Sequence, residues 1–275
     1  MDNSMPPLRF LRSLWRILRQ RPEVAPALRE NPTLDLILRR RSVRKFREQE
    51  IADEVFEAIL EAGRLAPTTV NLQTWACVTF TNQTWMDTFG SPIPFRAARA
   101  VLILGDTHRN KAIVDEFPYS PMVEYTLAVM NASLVSMTMN LAAEALGVSS
   151  VMLSETGRTG LLDAGFLKEK LALPDKVFPL MTIAFGYARG VVQAIPPRLP
   201  RDLLCVEGGY REDTEGIMDE WLAQMVAGYK AQWPKSSFQA QLKLYRSKIQ
   251  QAESDLQRMV FYEGAPETLD PVKDD

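Results

Sequence analysis

The chain has little of the equipment with which proteins do chemistry on their own. It holds one histidine, His108, and two cysteines, Cys77 and Cys205, among 275 residues. Clustered-histidine metal sites and Cys-x-x-Cys devices are therefore excluded. No Gly-x-Gly-x-x-Gly follows a strand pattern and no Gly-x4-Gly-Lys loop is present, which argues against a Rossmann or P-loop nucleotide site. The net charge of -2 supplies no global electropositive field, and without a basic patch in the central region no nucleic-acid partner is expected. No apolar run approaches the ~20 residues of a membrane span, so the expectation is a soluble, cytoplasmic chain. Cys77 sits inside the apolar run Trp75–Phe80 and reads as a buried structural thiol, while His108, after Gly105-Asp106, reads as a surface-loop histidine. Chemistry in such a chain falls to a bound cofactor.

What is present is an ordinary globular composition, 46% hydrophobic and 24% charged, at a length that suits one elaborated domain. Residues 1–33 stand apart as an N-terminal extension. Arg9, Arg12, Arg16, Arg19 and Arg21 alternate with Leu8, Leu11, Leu14, Trp15 and Leu18 at helical spacing, giving a basic amphipathic helix. Packing on the protein body is the favoured reading, with contact to an anionic membrane or targeting as alternatives. Pro22, Pro26 and Pro32 then mark a linker.

A short helix is expected through Leu34, Ile37 and Leu38, and a second through Ile51, Val55, Ile59, Ala62 and Leu65, ending before Pro67. Trp75–Phe80 and Ala100–Gly105 read as strands, the latter buried, with a loop containing Pro92 and Pro94 between them. Val123, Leu127, Met130, Leu134, Met137, Leu141 and Ala145 mark a long helix, nearly buried, whose methionines are packing rather than ligands. Gly147 ends it, Val148–Leu153 and Pro179–Tyr187 are strands, and Leu161–Leu171 is a helix. Two more helices follow, one around Ile217–Trp233 and one with a seam of Phe238, Leu242, Tyr245, Ile249, Ala252, Leu256 and Met259 that asks for a partner surface. This order gives an α+β or α/β three-layer α-β-α sandwich with a helical C-terminal extension.

Three segments carry candidate chemistry. In Arg40-Arg41-Ser42-Val43-Arg44, guanidinium forks and a hydroxyl can converge on a phosphate monoester. Pro196-Pro197-Arg198-Leu199-Pro200-Arg201 is a stiff basic segment after the last strand, and Ala66-Pro67-Thr68-Thr69-Val70-Asn71-Leu72-Gln73-Thr74-Trp75 sets hydroxyl, amide and backbone groups beside an aromatic ring. Each alone is compatible with a solvated surface or a capped loop.

In this order the segments resemble the FMN-dependent nitroreductase family. Arg41-Ser42-Val43-Arg44-Lys45-Phe46 matches its Arg-Ser-x-Arg-x-Phe, and Ala66–Trp75 matches its Ala-Pro-Ser-x-x-Asn-x-Gln-Pro-Trp. The likeness continues through Glu144–Leu153, Leu173–Leu180, Phe185-Gly186-Tyr187 and Pro197–Pro200, and is nearest the larger NADPH-preferring nitroreductase and flavin reductase branch. It implies a homodimer binding FMN, with NADPH or NADH as co-substrate, that reduces nitroaromatic, quinone or flavin acceptors by ping-pong two-electron transfer. The alternatives are a same-fold reductase or dehydrogenase of another metabolite and a non-catalytic, membrane-associated FMN-binding protein.

By the same resemblance Arg40, Arg41, Ser42 and Arg44 grip the FMN phosphate and ribityl chain together with Arg198. Thr68, Thr69 and Asn71 reach the flavin of the opposite subunit, Gln73 lies near the pyrimidine edge, and Leu153, Ser154 and Glu155 form the turn facing flavin N5. The catalytic set is Arg44, for charge near N1–O2, with the backbone amide of Ser154 or Glu155 at N5. Residues 34–210 would then be the FMN-binding domain and 211–275 the helical extension. The sequence departs from the pattern at Thr68 and Thr69 for serines, at Thr74 for proline, and at Ser154-Glu155 for paired glycines. Lys230 and Lys235 could meet the NADPH 2′-phosphate but read more simply as solvated lysines.

Overall fold

The computed structural model describes residues 5–112, 120–153, 160–190, 194–212 and 216–261. Contacts divide the chain into two compact units, Asn31–Val192 with Arg246–Asp275, and Met1–Glu30 with Gln193–Tyr245.

The larger unit is built on four strands, β1 (Trp75–Thr81), β2 (Arg99–Asp106), β3 (Ser149–Leu153) and β4 (Val177–Gly186). Their spatial order is β1-β2-β4-β3 and every neighbouring pair is antiparallel, so the sheet selects α+β from the two classes the sequence leaves open. β2 and β4 are central and buried almost throughout, as their unbroken apolar runs require. Val101 and Ile103 of β2 enter one core and Ala100, Leu102 and Leu104 the other, which is the two-residue period of a strand covered on both faces. A register shift opposite Ile103/Leu104 interrupts that period in β4, and Phe178, Leu180, Ile183 and Phe185 all reach the first core in consequence.

On one face lie α3 (Asp53–Arg64) and α5 (Pro121–Ala145), and on the other α4 (Asn82–Phe89) and Leu167 of α6 (Ala164–Lys170). The α-β-α layering is as expected, but α4 goes unannounced in the sequence. It is only two turns long, started by a Thr81–Thr84 capping box and filled by Trp85 and Phe89, too short for periodicity to declare it.

α5 corrects two readings. It is the one helix among the described residues whose length and composition would allow it to cross a membrane. Its buried, hydrogen-bonded Asn131, Ser136 and Asn140 mark it instead as a core helix. The apolar stripe also faces the other way: Val123, Met130, Leu134 and Met137 are exposed, whereas Ala128, Ala132, Val135, Met139 and Ala143 are buried. Small residues bring the helix axis close to its neighbours, and Met139 fills space beside Gly63 of α3 that a Cβ would occupy at 2.4 Å. The larger side chains are left outside.

α2 (Pro32–Arg39) precedes the arginine-rich segment, and α9 (Phe238–Val260) supplies Ala252, Met259 and Val260 to the buried set at its C-terminal end. Leu242 and Ile249 of the α9 seam are exposed. In the smaller unit α1 (Pro7–Arg19) packs on α8 (Ile217–Gln232), where Arg16 pairs with Glu220, and a short α7 (Arg201–Leu204) follows the Pro-rich segment.

Candidate functional site

The arginine segment is an extra strand in all but length. Val43 donates its N–H to the Ser150 carbonyl at 2.9 Å, Ser42 pairs in parallel with Ser150, and Arg47 N–H reaches Tyr187 O at 2.8 Å. Residues 40–44 therefore run along β3, the edge opposite β1. In extended backbone alternate side chains face opposite ways, and Val43 turns inward onto the core. Arg40, Ser42 and Arg44 accordingly share the outer face, with Arg44 exposed. Arg41 goes with Val43. Its guanidinium donates to Leu38 O at 2.6 Å and Arg40 O at 2.8 Å, capping the C-terminal carbonyls of α2.

The polar loop before β1 is held by a residue that motif reasoning missed. Asn131, fully buried on α5, accepts from the Thr69 N–H at 2.9 Å and the Thr69 hydroxyl at 3.1 Å through Oδ1, and its Nδ2 donates to Thr74 Oγ1 at 2.7 Å. Thr74, which stands where the family pattern has proline, is itself buried and supplies the acceptor that the amide needs. The only signal in the sequence was a polar residue inside an apolar helical period.

Within this anchored loop the backbone is left-handed at Val70 (φ 46°), Asn71 (φ 58°) and Gln73 (φ 50°). Asn tolerates this region, but a β-branched valine there is strained, and Val70 is also 83% exposed. Strain of this kind persists where the surroundings over-determine it, and here the determinants are Asn131 and the bonds from Gln73 N–H to Thr68 Oγ1 (3.3 Å) and Asn71 N–H to Thr68 O (3.1 Å). The loop presents Asn71 and Gln73 outward, both exposed.

The sheet keeps the two elements apart. Trp75, where the loop enters β1, pairs with Gly105, which pairs with Phe178, whereas Ser150 pairs with Phe185 and so belongs to the row of Arg99 and Thr81. Three interstrand spacings separate Trp75 from Ser150 by about 14 Å across the sheet, with the arginine segment one spacing farther, and six residues of β2 separate the two rows by about 20 Å along it. Both corners are nonetheless tied to one helix, because Ser150 Oγ donates at 2.8 Å to Oδ1 of Asn140, buried on α5 like Asn131.

Leu153 closes β3 with its side chain buried in the core, leaving only its backbone to a ligand. Ser154 and Glu155 lie outside the described residues. Arg198 is exposed on the Pro-rich segment of the smaller unit, near Pro197, whose carbonyl accepts from Trp221 Nε1 at 3.3 Å. Lys230 lies 6.0 Å from the Phe10 ring, and Lys235 is exposed. Burial pushes the Cys77 thiol above its ordinary range, countered in part by Arg109, and this suits a structural thiol. His108 follows the C-terminal end of β2, its Nδ1 3.1 Å from the Asp175 carbonyl. Among the described residues no group of His, Cys, Asp or Glu could hold a metal ion.

Together these elements set cations, hydroxyls and amides at two corners of one sheet. Residues 37–187 match the model of the nitroreductase family, and the chain belongs to that family. It is 26% identical over 202 residues to an oxygen-insensitive NADPH nitroreductase of Salmonella typhimurium, covering 70% of this chain and 82% of the relative. Its fold is that of NfrA2 from B. megaterium, with a TM-score of 0.67 at 19% identity over 85% of this chain and 98% of the other. The NADPH:FMN oxidoreductase of Vibrio harveyi is similar at a TM-score of 0.61 and 23% identity, over 79% and 98% of the two chains.

Proposed function

We propose that the chain is a homodimeric, FMN-dependent oxidoreductase that takes a hydride from NADPH or NADH and passes the electron pair to a small oxidised acceptor, namely a nitroaromatic, a quinone or a free flavin. The observation that carries this reading is the diagonal placement of two ligand-ready elements on one sheet, with an exposed apolar face of α5 midway between their anchors. Asn131 and Asn140 are nine residues apart, about 13.5 Å along the helix, and Leu134 and Met137 lie exposed between them. A two-fold axis through that face sets α5 antiparallel to its copy, so that the Thr69–Asn71 end of one chain meets the Arg40–Arg44 end of the other. Each site is then built from both copies.

The donor set fits FMN. Arg40, Ser42 and Arg44, aligned on one face of an extended segment, suit a phosphate monoester, and the strained loop brings hydroxyl and amide groups to the edge of a planar ring. When bound, FMN supplies the hydride chemistry, and the chain need supply no titrating base. Arg44 contributes fixed positive charge, worth most where the site excludes water, and Arg41 keeps α2 and the segment in register from behind. The names of the Salmonella and Vibrio relatives favour NADPH as donor.

The test is the visible spectrum of the purified protein. Flavin bands that bleach anaerobically with NADPH and return on adding a nitroaromatic or quinone are expected, on a particle of two-chain mass. Colourless protein that refuses added FMN, or a strictly monomeric particle, overturns the proposal.

A further inference from the structure

We propose that α1 is a docking surface for an anionic phospholipid bilayer. The helix shows three arcs, taken at about 100° per residue. Phe10, Ser13 and Ile17 turn toward α8: Ser13 is buried, Ile17 reaches Gly228, and Lys230 lies over Phe10. Leu8, Leu11, Trp15 and Leu18 form a second arc that remains 81%, 60%, 54% and 65% exposed. Arg9, Arg12, Arg16 and Arg19 form the third, directly beside the exposed apolar arc.

Packing on α8 thus accounts for only half of the apolar face. The other half is large, contiguous and convex, with nothing in the smaller unit covering it among the described residues. Residues 5–22 hold five arginines and no acidic residue, in a chain whose net charge is -2. One of these charges is matched internally, by the Arg16–Glu220 pair. Arg19 stacks over Trp15 with its guanidinium carbon 4.1 Å from the ring centroid, so the aromatic and a cation are presented together.

A cylinder with leucines and tryptophan on one arc and arginines on the next matches the headgroup boundary, where the apolar arc enters the acyl region and the cations meet lipid phosphates. A second copy of the chain fits this surface poorly. An antiparallel two-fold α1–α1 contact would bring the arginine rows together at the cost of like-charge repulsion. The proposal is independent of the flavin reading and concerns a surface outside the family-matched residues 37–187.

The experiment is co-sedimentation of the full-length protein with phosphatidylcholine vesicles with and without phosphatidylglycerol. Binding is expected to the anionic vesicles only, to weaken with added salt, and to shift tryptophan emission to the blue in a way lost in Trp15→Phe. Neutralising Arg9, Arg12 and Arg19 to Gln weakens it by roughly 100-fold, about fivefold for each charge. Leu11→Glu with Leu18→Glu abolishes binding and leaves the unfolding temperature unchanged, because both positions are exposed. Absence of binding to either vesicle, equal binding to both, or survival of binding in the double glutamate variant refutes the proposal. So does a fall in the particle's mass in that variant, which would assign the stripe to a second copy.

Discussion

Replacing Asn131 by alanine tests whether a single amide holds the loop before β1. The substitution removes three hydrogen bonds from a fully buried position and leaves the Thr69 N–H and the Thr74 hydroxyl unpartnered. An orphaned buried polar group costs about 1–3 kcal/mol, and half-buried Thr69 recovers part of that from water, so the gross loss is about 3 kcal/mol. Against this stands relief of the left-handed backbone at Val70, Asn71 and Gln73, about 1 kcal/mol per residue if the loop relaxes fully. Relaxation is only partial, since Asn71 N–H to Thr68 O and Leu72 N–H to Thr69 O do not depend on Asn131. A net loss of about 2 kcal/mol remains, or about 3–4 °C in unfolding temperature for a chain of 275 residues. Urea unfolding followed by circular dichroism measures it, and a double-mutant cycle with Thr74→Val should give a coupling of about 1–2 kcal/mol. Asn131→Ala within about 0.5 kcal/mol of the parent, or strict additivity with Thr74→Val, would show that the amide is not the anchor.

Two backbone substitutions should move stability in opposite directions. Val70→Gly removes side-chain strain at φ 46° and is expected to stabilise by about 0.5–1 kcal/mol, while Gly147→Ala, at φ 76° just past α5, costs about 1 kcal/mol although no atom lies within 4 Å of the added Cβ. The two neighbouring arginines separate likewise. Arg44→Ala lowers FMN retention with little change in unfolding, whereas Arg41→Ala loses the two bonds to the end of α2 and destabilises by about 1–2 kcal/mol in thermal melts. Because a raised pKa leaves less thiolate at a given pH, Cys77 should alkylate more slowly at pH 8 than exposed Cys205, a contrast read by mass spectrometry of iodoacetamide-treated protein.

Local signals carried much of this fold. The four strands announce themselves as short β-branched or apolar runs, and α3 and α9 as periodic stripes. The failures share one cause, which is that hydrophobicity marks a face without saying what covers it. On α5 the large residues formed the obvious stripe, yet alanines face the sheet because close approach favours small side chains. The arginine run was visible, but its division into an outward set and an inward cap depends on pairing with Ser150 more than a hundred residues away, a contact that no local pattern encodes. Asn131 and Asn140 were hidden for a similar reason, since a buried amide is informative only once its partners are known.

The spacing of those two asparagines restricts how the gene can change. A deletion of one residue anywhere in Leu134–Met139 would swing one anchor about 100° around the helix relative to the other and shorten their separation by about 1.5 Å. Either the Thr69 loop or Ser150 would then lose its partner. Insertions and deletions should therefore be absent from this stretch of α5 among functional descendants, even at its outward positions, where substitution of one apolar residue for another is harmless to the fold.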